Sequence, residues 1–352
     1  NEENNRTREN MLVTDKELDK SYKILNNLLE TIGQSKFYIK DKKNIQFEQN
    51  IFNFSIYKND FINIRKASAA RSGSLYIDKF DDKVIIVSGD GYFQYFDKSL
   101  TSGDEKEIKA NIIESNIKNL IFYRQFYESS KYGIKDLYIV NDDVYISYIR
   151  KVKNDCYNTS ILKAKFDLNF LKFEPFFFPD ECISSDISGF QPHSSGGRMH
   201  SFKDDLFFSV GEYLDRSKAQ KIDSVFGKIL RLKLNKNNIK NYEIFSLGHR
   251  NVQGLYYDRF NGSLISTEHG PQGGDEINVN NNLDTPNFGW PISSYGEHYG
   301  FKERDDFSPA YKLAPLYKSH KKYGFIEPIK YFTPSIGISQ IVKIPHQSNN
   351  LF

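Results

Sequence analysis

Short alternations of apolar and polar residues characterise most of the chain. From Phe37 onward, aromatic and β-branched residues alternate with polar ones, as in NIFNFSIYK at positions 50–58. A period of two residues predicts strands with one buried face. Before this region, apolar residues recur at helical spacing at Leu18, Tyr22, Leu25, Leu28, Leu29 and Ile32. The pattern predicts a polar segment with a short amphipathic helix over residues 1–36 and a β domain over residues 37–352.

Four segments then repeat one pattern, in which two apolar strands flank a tight turn. They are SLYIDKFDDKVIIVSGD, DLYIVNDDVYISYI, RMHSFKDDLFFSVGE and GLYYDRFNGSLISTEHG. The turns are predicted at Asp81-Asp82, Asp142-Asp143, Asp204-Asp205 and Asn261-Gly262, at successive intervals of 61, 62 and 57 residues. A hairpin that recurs at this spacing, with room for two more strands, predicts an all-β propeller. A further unit begins at ISQIVKIPHQSNNLF, so we expect the last blade to be truncated.

Composition narrows the classes of partner. The 352 residues carry 48 basic and 45 acidic side chains, a net charge of +3, which excludes a polycationic nucleic-acid binder. Aromatic residues make up 15% of the chain and favour strands. No apolar stretch approaches the roughly 20 residues of a membrane span. Because residue 1 is Asn rather than Met, we expect a removed leader or N-terminal anchor and a periplasmic or otherwise extracytoplasmic location.

The two cysteines leave two interpretations open. Cys156 and Cys182 are the only cysteines of the sequence, and they lack the CxxC spacing of a metal site. They form either one disulfide in an oxidising compartment or two ordinary buried thiols.

Three loops between the predicted strands carry candidate chemistry. In FQPHSSGGRMHSF, His193 precedes two glycines that allow close approach of the backbone. An imidazole here is either a general base near neutral pH or an ordinary surface histidine. In LGHRNVQG, Arg250 offers a fixed planar cation that suits a carbonyl or carboxylate, or that ties two blades together.

The third loop, TEHGPQGGDE, suggests oxygen ligands. The carbonyls of Gly270 and Pro271 can turn toward one point, and hard cations such as calcium accept carbonyl and carboxylate oxygens together. Asp275 and Glu276 supply either a separate oxygen site or a cap for the next turn.

Taken in order, these loops resemble a known family. The segments HSSGGRMHSFKDDLFFSVGE, GKILRL, GHRNVQGLYYD, EHGPQGGDEINV, NFGWP and EPIKYFTPSIGIS occupy about residues 190–340. This order resembles the soluble glucose and aldose sugar dehydrogenases, quinoproteins that use pyrroloquinoline quinone (PQQ) on a six-bladed propeller. The resemblance implies an enzyme that oxidises an aldose, with an external electron acceptor as its second partner.

The resemblance also implies roles for individual residues. His193 would remove the sugar hydroxyl proton as hydride passes to the quinone, and Arg250 would polarise the quinone carbonyl. Asn251 would hydrogen-bond the cofactor, and His269 would line its pocket.

Two calcium sites are implied as well. The carbonyls of Gly270 and Pro271 would hold a calcium ion that also binds the cofactor and acts as a Lewis acid. Glu276 and the carbonyl of Phe288 would hold a second, structural calcium ion.

The chain departs from the family pattern at several points. Pro192 stands where the glucose enzymes have an Asp, and the loop from His193 to Arg198 is one residue longer. The family's Gly-Gly-Leu loop is not recognisable around residues 133–137, and the chain ends at NNLF, before the Lys and Arg residues that clamp the cofactor carboxylates.

Two rival hypotheses follow. One is a non-catalytic propeller that binds a carbohydrate or protein partner through the same face. The other is a calcium-dependent lactonase or hydrolase, which requires several acidic or Asn ligands at the central channel; the acids cluster at Asp275 and Glu276 instead.

Overall fold

The computed structural model describes residues 35–47, 50–59, 75–89, 91–101, 106–121, 132–236, 238–281 and 284–343. The predicted amphipathic helix and most of the ISQIVKIPHQSNNLF segment lie outside these residues. Within the described ranges, no helix is long and apolar enough to cross a membrane.

Strands make up most of the described chain. They are β1 Ser35–Phe47, β2 Asn50–Asn59, β3 Leu75–Phe80, β4 Lys83–Ser88, β5 Phe93–Asp97, β6 Glu107–Ser115, β7 Ile134–Val140, β8 Asp143–Lys153, β9 Cys156–Lys165, β10 Phe170–Leu171, β11 Glu174–Phe177, β12 Ile183–Ser184, β13 Gly196–Phe202, β14 Asp205–Val210, β15 Lys228–Lys233, β16 Glu243–Leu247, β17 Val252–Asp258, β18 Ser263–Glu268, β19 Asp275–Asn280 and β20 Lys330–Phe332. Two short α-helices, α1 Ile117–Leu120 and α2 Pro309–Leu313, and four 3₁₀ turns, Lys98–Thr101, Pro192–Ser194, Arg216–Gln220 and Lys321–Tyr323, complete the described elements.

The strands form four antiparallel blades in chain order. The first blade is β3-β4-β5-β6, which the β1-β2 hairpin extends at β6, and the second is β7-β8-β9-β11. The third is β13-β14-β15-β16, and the fourth is β17-β18-β19-β20. The first strands of successive blades, β3, β7, β13 and β17, contact one another in sequence. This arrangement is a β-propeller, and it confirms the predicted all-β fold.

Apolar side chains fill the spaces between successive blades. Three separate clusters of buried residues lie at the three blade interfaces of the described chain. Members include Phe93, Leu137 and Ile146 between the first and second blades, Tyr145, Phe177 and Phe208 between the second and third, and Phe207, Phe245 and Leu255 between the third and fourth. Alternation along each strand therefore serves both faces of a blade, because each face packs against a neighbour.

The four predicted hairpins are all present. The fourth turn spans residues 259–262, because Asp258 pairs with Ser263, and the second and third turns are centred one residue earlier than predicted. Val140 pairs with Asp143 in the second hairpin, and Phe202 pairs with Asp205 in the third. The turns are therefore Asn141-Asp142 and Lys203-Asp204. Asp143 and Asp205 begin the second strands of these hairpins and pair with lysines of the third strands. Asp143 lies 3.0 Å from Lys163 and 2.7 Å from Lys165, and Asp205 pairs with Lys233.

The cysteines form one disulfide, which settles the alternative that the sequence left open. Cys156 and Cys182 are joined, with their Cα atoms 5.5 Å apart. The bond lies where β12 pairs with β9, since Ser184 is opposite Cys156 in that ladder. It fastens the returning segment to the outer part of the second blade.

Reducing this disulfide should lower the free energy of unfolding. Closing a loop of 26 residues removes chain entropy from the unfolded state worth roughly 3–4 kcal/mol. We expect urea unfolding of the protein with and without dithiothreitol to differ by about this amount. A Cys156→Ser/Cys182→Ser double variant should already have the lower stability. Because the chain has no other cysteine, any remaining effect of reductant on that variant would contradict the assignment.

Candidate active site

Arg250 lies at the centre of the loops singled out from the sequence. It is 6% exposed, and its Nη1 donates hydrogen bonds to the carbonyls of His269 (3.0 Å) and Gly270 (2.8 Å). The loop before it turns at Gly248, with φ of 76°, where a Cβ atom would lie 2.2 Å from the Asn287 side chain. Only glycine fits there. The GHRN and EHGP loops are therefore in direct contact.

A buried carboxylate that the sequence analysis missed holds this arrangement. Glu268, at the end of β18, accepts a hydrogen bond from the backbone N–H of Arg250 and pairs with His249 Nδ1 at 2.9 Å. The other nitrogen of His249 lies 2.8 Å from Ser246 Oγ. The available signal was an acidic residue at the end of a predicted strand, SLISTE, that carries no other charge. Such a charge must find partners when it is buried.

The loop that carries His193 joins the same region. His193 lies in the 3₁₀ turn Pro192–Ser194 and is partly exposed. Just after it, the N–H of Gly196 donates to Asn251 Oδ1 at 3.0 Å. The N–H of Glu212 donates to the Arg250 carbonyl, also at 3.0 Å. All three loops therefore meet at one end of the third and fourth blades.

Glu212 is a second acidic residue that the sequence analysis missed. Its side chain is fully buried, and burial raises its pKa to about 7, although Arg250 and Arg216 oppose the rise. Both guanidinium groups also flank Trp290, with their Cζ atoms 5.4 Å and 5.6 Å from the ring centroid. The site therefore combines two cations, one acid and the chain's single tryptophan.

Asp275 caps backbone N–H groups, which was one of the two alternatives for it. One carboxylate oxygen accepts from Gly270 at 3.1 Å, and the other accepts from Ile336, Gly337 and Ile338 at 3.0, 2.8 and 3.2 Å. Burial alone would raise the pKa of Asp275, but these bonds outweigh it and the pKa is lowered. The ionised carboxylate thus fixes the turn at Gly270. His269 lies nearby, and burial lowers its pKa.

Glu276 and Phe288 lie close together, as the second predicted calcium site requires, but His320 stands between them. Its Nε2 is 3.3 Å from Glu276 Oε1, and its Nδ1 is 2.8 Å from the Phe288 carbonyl oxygen. Burial raises the pKa of Glu276. Burial would lower the pKa of His320, but the Glu276 carboxylate outweighs this effect and the pKa is raised.

The first predicted calcium site offers few protein ligands. The Gly270 carbonyl already accepts a hydrogen bond from the Arg250 cation. Among the residues that the structure describes, no group of three or more His, Cys, Asp or Glu could hold a metal ion. Calcium takes six to eight oxygen ligands. The carbonyls of Gly270 and Pro271 therefore suit calcium only if a bound ligand supplies further oxygens.

Fold and site together define a β-propeller with an arginine-centred loop site at the end of two blades. Residues 114–350 match the Glucose / Sorbosone dehydrogenase family. Since this match covers more than half of the chain, the protein belongs to that family.

Individual relatives agree with this assignment. The chain is similar to the aldose sugar dehydrogenase YliI of Escherichia coli (strain K12), with 31% identity over 176 residues, 46% of this chain and 44% of that protein. It is also similar to quinoprotein glucose dehydrogenase B of Acinetobacter calcoaceticus, with 38% identity over 84 residues, 21% of this chain and 17% of that protein. The matched segments thus span less than half of these relatives.

A solved structure shows the same fold. The crystal structure of the soluble aldose sugar dehydrogenase from Escherichia coli in the apo form superposes with a TM-score of 0.56 and 23% identity. The superposition covers 76% of this chain and 73% of that one.

Replacing Asp275 with Asn should destabilise the protein. Asn keeps the shape but loses the charge that strengthens four hydrogen bonds to backbone N–H groups, so we expect a loss of about 2 kcal/mol in the free energy of unfolding. Urea denaturation measures it. The same change at the exposed residue Asp284 is the control and should be neutral. Equal stabilities of the two variants would show that Asp275 does not hold the turn.

Proposed function

We propose that this protein is a PQQ-dependent sugar dehydrogenase that oxidises an aldose hydroxyl. Family membership and the relative named as a quinoprotein support the reaction class. The single observation that carries the proposal is the position of Arg250. Its guanidinium is buried and fixed on two carbonyls of the EHGP loop, and the loop of His193 is attached to the neighbouring residue Asn251 by the Gly196 hydrogen bond.

The site suits an anionic, planar cofactor. Arg250 Nε is buried and has no hydrogen-bond partner among the described residues, so it can donate to a ligand. Arg216 adds a second cation. Guanidinium groups bind carboxylates and quinone oxygens through several parallel donors. PQQ carries both groups, and Trp290 supplies a flat apolar ring beside the two cations.

Three residues would hold the cofactor. Arg250 would donate to a quinone carbonyl oxygen and favour negative charge there. Asn251 uses its Oδ1 to accept from Gly196 and Gln253, and its Nδ2 would donate to the ligand. His269, with its lowered pKa, would line the pocket as a neutral ring. When bound, the quinone accepts the hydride of the sugar.

His193 would act as the general base. Oxidation of an aldose hydroxyl removes a hydride from carbon and a proton from oxygen, and the imidazole would take that proton at a ring nitrogen. The turn Pro192–Ser194 places this residue three positions before the start of β13 at Gly196. The Gly196–Asn251 hydrogen bond ties that strand to the loop of Arg250 and Asn251. Base and electrophile are thereby carried on two connected loops.

The proposed enzyme would also need a calcium ion and an external electron acceptor. The Gly270 and Pro271 carbonyls would hold a calcium ion, which would supply Lewis acidity beside the cofactor. An external acceptor would remove the electrons. The Cys156–Cys182 disulfide supports an oxidising, extracytoplasmic compartment, and we propose a periplasmic location with membrane contact only through an N-terminal anchor, if one is present.

Trp290 gives a direct test of cofactor binding. It is the only tryptophan and lies beside Arg250, so PQQ should quench its fluorescence at micromolar concentration. An Arg250→Lys variant loses the planar donor set, and we expect its Kd for PQQ to rise at least about tenfold. Arg231→Lys, the same change at a residue of β15 that pairs with Glu243, is the control. Quenching that is equal in all three proteins would remove Arg250 from the cofactor site.

Loss of the base should abolish turnover and spare binding. Protein of full natural length, reconstituted with PQQ and calcium, should reduce a dye in the presence of an aldose. His193→Ala should lower kcat by about 10²–10⁴-fold with Trp290 quenching unchanged. Gln191→Ala, an exposed position in the same loop, should keep full activity. No sugar-dependent reduction by the unmodified protein would favour the non-catalytic propeller instead.

A further inference from the structure

The space between Glu276 and Phe288 is bridged by one side chain. Phe288 is almost wholly buried, and Glu276 is 7% exposed. His320, 1% exposed, reaches both. A carbonyl oxygen only accepts, so the 2.8 Å contact with Phe288 shows that His320 Nδ1 carries hydrogen. Nε2 then lies toward the Glu276 carboxylate at 3.3 Å, an ion-pair distance.

A metal ion at this place would need the room that the imidazole takes. Calcium binds oxygen at about 2.3–2.6 Å and needs six or more such ligands. The oxygen groups that His320 reaches are one carboxylate and one carbonyl, and the second carboxylate oxygen of Glu276 already accepts from Asn278 Nδ2 at 3.3 Å. The imidazole between the two groups instead donates a hydrogen bond to the Phe288 carbonyl and lies at ion-pair distance from the Glu276 carboxylate.

Packing holds the ring in this position. Tyr295 stacks on it, with the ring centroids 5.5 Å apart. A Cβ atom on Gly289, whose φ is 91°, would lie 3.2 Å from His320 Nδ1. The ring therefore has close neighbours on two sides, and an outward rotation would break both the stack and the bond to Phe288.

The backbone of His320 is anchored as well. Its carbonyl accepts from the N–H groups of Tyr323 at 3.0 Å and Phe325 at 3.1 Å. The next residue, Lys321, donates its N–H to Glu327 Oε2 at 2.8 Å. Glu327 also accepts from the Tyr295 hydroxyl, so the segment that carries His320 is fastened to the residue that stacks on its ring.

We infer that the imidazole of His320 takes the place of a structural metal ion in this chain, and that Glu276 and the Phe288 carbonyl bind no calcium. The inference revises the metal role that the family resemblance implied for these two residues. It concerns only β19, the loop that follows it and the His320 segment. It therefore stands or fails independently of the proposed sugar oxidation.

The direct test is a crystal structure of the protein without quinone, grown in about 10 mM calcium chloride. This concentration is well above the Kd of most extracellular calcium sites. We expect the His320 ring between Glu276 and Phe288, with no ion near either residue. An ion coordinated by the Glu276 carboxylate and the Phe288 carbonyl, with His320 displaced, would overturn the inference. This test needs no variant and does not depend on activity.

A solution measurement checks the same point. Calcium bound per chain should be equal in the unmodified protein and in Glu276→Gln, as counted by equilibrium dialysis with elemental analysis, again without quinone. Glu243→Gln, the same change at an exposed residue of β16, is the matched control. A loss of one ion in Glu276→Gln alone would show that Glu276 is a calcium ligand. A calcium ion at Gly270 and Pro271 would count equally in all three proteins.

Discussion

Burying three carboxylates within one short stretch is the constraint on which the rest of the site depends. Glu268, Asp275 and Glu276 are all at most 7% exposed, and an unpaired buried carboxylate is very costly. Each is compensated differently: Glu268 by His249 and a backbone N–H, Asp275 by four backbone N–H groups, and Glu276 by His320. The loops of the site are arranged as partners for these acids.

This compensation also positions the chemistry. Because Glu268 holds the backbone of Arg250, the guanidinium is free to bridge the carbonyls of the neighbouring loop. The Arg250 carbonyl in turn accepts from the N–H of Glu212, a buried acid whose pKa is raised to about 7. Charged groups that are already fixed by the fold need little reorganisation when a ligand or a developing charge arrives. The loops of the site are therefore held in one arrangement by their hydrogen bonds to the buried acids.

The need of a buried carboxylate for a partner also explains the position of His320. A site that needs a positive or hydrogen-donating group between a carboxylate and a carbonyl can obtain it from a metal ion or from a side chain. In this member of the Glucose / Sorbosone dehydrogenase family, a side chain from the segment after α2 lies in that position. A ligand pattern matched by position therefore does not establish a metal site, since the space between the ligands also has to be available.

The sequence alone was sufficient for the all-β propeller and for the loops that form its candidate site. Alternation and the recurring hairpin depend on neighbouring residues, and the loop motifs are local as well. Two turns were predicted one residue too late, at Asp142-Asp143 and Asp204-Asp205. Adjacent polar residues look alike in the sequence, and the cross-strand pairing of Asp143 and Asp205 appears only in the structure. Only the tertiary structure decided that Cys156 meets Cys182, that Glu268 and Glu212 hold the Arg250 loop, and that His320 lies between Glu276 and Phe288. These partners are distant along the chain, and burial of a charge dictates that a partner exists without specifying which residue it is.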